Sequence, residues 1–67
     1  MSDKQLGKKI KIARIEADLS QAEVAKKLKV IPKSISRYET GETEPSITVL
    51  KKIAKLVNKP MGYFFGE

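Results

Sequence analysis

Leu6, Ile10, Ala13 and Ala17 recur at i, i+4, i+7 and i+11, a narrow apolar stripe at the period of an α-helix. Just upstream, Ser2-Asp3-Lys4-Gln5 reads as a capping box, with a Ser cap and a Gln three residues on. A first helix is therefore expected from about Asp3 to Ala17. Ile12 and Ile15 fall about 120 to 180 degrees off the stripe, at roughly 100 degrees per residue. The pattern leaves them two places, the solvent or the face of a later element.

A second capping box, Ser20-Gln21-Ala22-Glu23, opens a short helix from Gln21 to Leu28 with Val24, Ala25 and Leu28 on its apolar face. Lys29-Val30-Ile31 is too brief to be more than a turn between helices. Pro32 suits the first position of a third helix, where a missing N–H costs nothing. That helix turns Ile35 inward and ends near Glu39 or Thr40, before Gly41. Residues 40–45 form a polar loop, after which Ser46 caps a fourth helix carrying Ile47, Leu50, Ile53, Ala54 and Val57 on its buried side. Asn58 suits a left-handed position after that helix. Pro60 opens a short last turn, and Met61, Tyr63, Phe64 and Phe65 form an apolar end, of which Met61, Phe64 and Phe65 are expected in the core. No period of two persists anywhere, so the fold class is all-α, four helices and a short fifth.

Composition narrows the chemistry. The 67 residues make one domain and include no Cys and no His, which removes disulfides, zinc sites built on those residues, thiol catalysis and His-based triads. With neither residue, no nucleophile–base pair is at hand, and the eight carboxylates are scattered along the chain. The expectation is a protein that is not an enzyme and holds no metal or cofactor. Fourteen Lys and Arg against eight Asp and Glu give a net charge of +6, which suits a polyanion such as nucleic acid. No stretch approaches the ~18 apolar residues of a membrane span, and no signal-peptide pattern opens the chain, so no membrane partner and a cytoplasmic location are expected.

Two short helices joined by a three-residue turn, with small Ala25 at the crossing, Val30 plugging the turn and Ile35 locking the second helix, have the layout of a helix-turn-helix. Leu19-Ser20-Gln21 followed by Ala25, then Ile35-Ser36-Arg37-Tyr38-Glu39-Thr40-Gly41, then Glu44-Pro45-Ser46, resembles in order and spacing the Xre/Cro/CI-type helix-turn-helix family of phage and bacterial repressors. The resemblance runs from about Leu6 to Phe65. It implies a compact five-helix repressor-like domain over residues 1–67, with the helix-turn-helix at about 21–40.

The resemblance further implies a sequence-specific reader of double-stranded DNA, a transcriptional regulator of repressor type. Its third helix, about Pro32 to Thr40, would lie in the major groove, and the chain would act as a homodimer. Carried over by position, Pro32, Lys33, Ser36 and Arg37 face the bases. Lys33 and Arg37 are donors suited to guanine O6 and N7, and Pro32 offers only apolar contact such as a thymine methyl. Arg14, Ser20, Gln21 and Thr40 correspond to phosphate-contacting positions, with Gln21 also bracing the recognition helix. Arg14 and Glu39 correspond to a partly buried salt bridge between the first and third helices. Plainer roles stand beside these: caps for Ser20 and Gln21, a solvated lysine for Lys33, a pairing with an acidic neighbour for Arg37.

Two departures are visible. Glu42 and Glu44 occupy a loop where many relatives carry basic residues, and Ile31 stands where relatives often place a Ser or Thr cap. No small-molecule effector site is evident. The alternative function is a protein-interaction module of the same fold, an antitoxin or a bridging factor, suggested by Ile12, Ile15 and the apolar end at Tyr63-Phe64-Phe65.

Overall fold

The computed structural model describes residues 3–66, with side chains from residue 5 onward. Five helices follow one another: α1 Asp3–Glu16, α2 Gln21–Leu28, α3 Pro32–Thr40, α4 Ile47–Leu56 and α5 Met61–Phe64. The expected cap at Ser2 lies outside the described residues. The all-α class and the order of elements stand as expected from the apolar periods, and α2 begins and ends where its cap and its last apolar residue placed it.

The punctuation is local chemistry. Ser20 Oγ accepts from the Glu23 N–H at 3.0 Å while Glu23 Oε1 accepts from the Ser20 N–H at 2.7 Å, closing the box that starts α2. Ser46 Oγ accepts from the Val49 N–H at 3.2 Å and starts α4. Three helices end alike. The chain enters the left-handed region at Asp18 (φ 59°), Lys29 (φ 62°) and Asn58 (φ 60°). The following N–H then donates five residues back, from Leu19 to the Arg14 carbonyl, from Val30 to Ala25 and from Lys59 to Ala54. This closure satisfies carbonyls that the helix itself leaves unpaired. Asn58 was expected in that role; Asp18 and Lys29 were not.

The core has two parts. Ile10 and Ala13 of α1 pack with Leu50, Ile53 and Ala54 of α4, Val57 beyond it, and Phe64 of α5. Val24 and Ala25 of α2 pack with Ile35 of α3 in a smaller cluster inside the helix-turn-helix. Leu19, Leu28 and Tyr38 pack against both and join them. Burying an Ile, Leu or Phe side chain stabilises by about 1.5–3 kcal/mol, so the larger cluster carries the domain and the smaller one sets the angle of α3 on α2. Val30, packed against the smaller cluster, plugs the turn as expected.

Three apolar expectations need correction or completion. Ile47 is 56% exposed rather than buried. It stands in the first turn of α4, packs in neither cluster, and Val49 takes the contact with the core instead. Phe65 is exposed: α5 ends at Phe64, whose buried ring meets that of half-buried Tyr63 edge-on at 5.1 Å. Ile12 and Ile15 take the solvent side of α1.

Candidate nucleic-acid interface

Residue positions on α3 divide by the helical period. Ile35 and Glu39 are buried and Tyr38 is half-buried, facing α1 and α2. Lys33 and Arg37 are exposed on the opposite side, while exposed Pro32, at the start of the helix, and half-buried Ser36 lie on the flank between the two. Of the four expected base-facing residues, the two cationic donors Lys33 and Arg37 thus share the outward side one turn apart, and Pro32 and Ser36 border it.

That surface is held from behind by a charge cluster. Arg14 of α1 donates from Nε to Glu39 Oε2 at 2.6 Å and from Nη2 to Oε1 at 3.3 Å. Its Nη1 donates to the Leu19 carbonyl at 2.8 Å, tying in the turn before α2. Gln21 Nε2 donates to Glu39 Oε1 at 3.0 Å. The Arg14 and Glu39 side chains are only 12% and 2% exposed. A buried carboxylate is tolerable only when paired and hydrogen-bonded, and here three donors from two other helices meet it. The expected Arg14–Glu39 pair is therefore present, and Gln21 braces α3 as expected. Every guanidinium nitrogen of Arg14 already donates inside the protein, so the structural role accounts for this residue.

The remaining expected phosphate positions differ in what they still offer. Ser20 Oγ is used as an acceptor by the α2 cap, and its hydroxyl proton is left to donate outward. Thr40 Oγ1 donates to the Arg37 carbonyl at 3.2 Å and accepts from the Glu42 N–H at 3.4 Å, so it shapes the end of α3. Arg37 meets Glu42 at 3.6 Å, the acidic pairing that was its plainer role.

One residue, Gly7, escaped sequence reasoning, and two others, Ile31 and Glu42, stood there only as departures. Gly7 is buried where α1 crosses α3; a Cβ there would stand 2.6 Å from the Tyr38 carbonyl oxygen and closer still to that of Glu39. A lone glycine inside a helical stripe signals such an approach only weakly. Ile31, the N-cap of α3, makes no side-chain cap and is 61% exposed beside Pro32, so the two form an apolar start to the outward surface. Glu42 lies against the recognition surface through its contact with Arg37.

Comparison with known proteins agrees with this geometry. A helix-turn-helix family model matches residues 10–64. The HTH-type transcriptional regulator ImmR of Bacillus subtilis (strain 168) is 36% identical over 62 residues, which cover 92% of this chain and 49% of ImmR. The chain thus spans about half the length of that relative. Among solved structures, the clp gene regulator ClgR from C. glutamicum superposes with a TM-score of 0.86 at 21% identity, over 94% of this chain and 82% of ClgR. Apo-HppE superposes with a TM-score of 0.87 at 23% identity, over 96% of this chain and 36% of its own length, a likeness of fold. The match over most of its length, with the helix-turn-helix at its centre, establishes that the chain belongs to the helix-turn-helix family.

Proposed function

We propose that this chain is a sequence-specific double-stranded DNA-binding domain of a transcriptional regulator, a repressor that acts as a homodimer and inserts α3 in the major groove. The observation that carries this reading is the division of α3. One side is locked to α1 and α2 through Ile35 and Glu39, and the other presents Lys33 and Arg37 outward, Arg37 with an exposed pairing to Glu42. Lys33 and Arg37 are matched to guanine O6 and N7, Ser36 to a base edge or the backbone, and Ile31 with Pro32 to a thymine methyl. Ser20, at the N-terminus of α2, is placed to donate to phosphate. The net charge of +6 supplies the sequence-independent attraction.

A homodimer would fit this size. The longest dimension of the domain is 27 Å, whereas half-sites one helical turn apart are centred roughly 34 Å from each other. Two copies are needed to read two such sites. The test is a variant carrying Lys33→Ala and Arg37→Ala, assayed on the best-bound duplex. Loss of at least about tenfold in affinity is expected, with an unchanged helical circular-dichroism spectrum. Unchanged binding would refute this placement of the surface.

The exposed Ile12 and Ile15 favour a second reading, a protein-interaction module of the same fold. A clean monomer–dimer equilibrium in sedimentation, without a stoichiometric partner, would count against it.

A further inference from the structure

Among the described residues, Glu42 is the carboxylate that pairs with the recognition surface, and the chain is folded so as to place it. Gly41, at φ 87°, turns the backbone at the end of α3. The loop then closes on Arg37, whose carbonyl accepts from the Thr43 N–H at 3.2 Å and from the Thr40 hydroxyl at 3.2 Å. Thr40 Oγ1 in turn accepts from the Glu42 N–H at 3.4 Å. The result brings Glu42 Oε2 to 3.6 Å from Arg37 Nε. Both side chains stay open to solvent, at 44% for Arg37 and 67% for Glu42. A pair so exposed adds little to folding. A carboxylate beside a DNA-facing cation also weakens general attraction to phosphate, so its presence is a cost to affinity.

We propose that Glu42 is a positioning residue for base selection: it approaches the Arg37 guanidinium at Nε and leaves the two Nη groups directed at guanine O6 and N7. Its charge also disfavours a phosphate at the same place, so Arg37 is kept from gripping the backbone. At 3.6 Å the contact is an ion pair longer than a hydrogen bond; it draws the Nε edge of the planar guanidinium fork toward Glu42 and so biases the opposite edge outward, which a lysine could not exploit. Exclusion of water at a protein–DNA contact strengthens the pairing relative to the free protein. The inference rests on the DNA-reading function proposed above and adds a residue that acts through Arg37 rather than on DNA.

The test compares the wild type with Glu42→Gln, Glu44→Gln, Arg37→Ala and the Glu42→Gln/Arg37→Ala double variant. Each is titrated against the best-bound duplex, a set with every base pair changed in turn, and a random duplex. Glu42→Gln is expected to lose about fivefold in discrimination at the guanine read by Arg37 and at no other position, while binding random duplex more tightly. In the Arg37→Ala background the same substitution changes no base preference. Glu44→Gln, which removes an equal charge from the same loop, tightens all duplexes alike. If Glu42→Gln behaves as Glu44→Gln does, the positioning role is refuted while the DNA-reading function stands. A wild type with no base preference at all overturns both.

Discussion

Glu39 is a carboxylate at 7% exposure, and its environment shows how single residues orient the surface of α3. Arg14 and Gln21 supply all the donors it needs. Replacing such a cluster by apolar groups of equal volume is often neutral in stability, whereas removing one partner costs about 3–5 kcal/mol. The cluster ties α3 to both α1 and α2 through one carboxylate. This pair was legible in sequence only through the family resemblance, because nothing in the local pattern links positions 25 residues apart. Ile31 is a residue of the opposite kind. Its backbone caps α3, with its carbonyl accepting from the Ser34 N–H at 3.0 Å, while its side chain makes no cap bond. Ile31→Ser should therefore stabilise the domain by about 1 kcal/mol. That corresponds to a rise of about 4–8 °C in the thermal unfolding midpoint. The same variant should show a smaller preference for thymine-containing over uracil-substituted duplexes than the wild type does, the apolar contact of Pro32 remaining. A lowered midpoint would show that the Ile31 side chain serves the fold.

At the scale of elements, the helix starts were readable because caps are local: Ser20 and Ser46 each satisfy an N–H three residues on. Helix ends were less readable. Asn58 tolerates the left-handed region well, but Lys29 carries no such signal and adopts it because the closure to Ala25 and the packing of Val30 demand it. Ile47 shows the same limit for burial, since the helical period places it with Leu50 while in the first turn of α4 it is Val49 and Leu50 that meet the core. The crossing of α1 and α3 depends on Gly7, and it yields a prediction against intrinsic propensity. Alanine favours a helix over glycine by about 1 kcal/mol, yet a Cβ at position 7 would push on the backbone of α3, which cannot yield as a side chain can. Gly7→Ala is expected to destabilise by about 1–3 kcal/mol in urea unfolding and to weaken DNA binding as α3 shifts. A gain in stability would show that the two helices approach less closely than described.

The whole molecule combines a small staple-free core with a cationic surface. Among the described residues no helix is long and apolar enough to cross a membrane, and the net charge of +6 is available to draw the domain to a polyanion. Charge gives attraction without selectivity; α3 gives selectivity only if Lys33 and Arg37 reach base edges. These two contributions separate in salt, because phosphate contacts release counterions and base contacts do not. The most direct measurement is selection of duplexes from a randomised pool at low and at moderate salt, with affinity followed across the same range. The account predicts enrichment of one two-fold symmetric sequence at both salts, with guanine in each half-site and half-site centres about one helical turn apart. No enrichment at either salt, with binding that simply fades as salt rises, would contradict it.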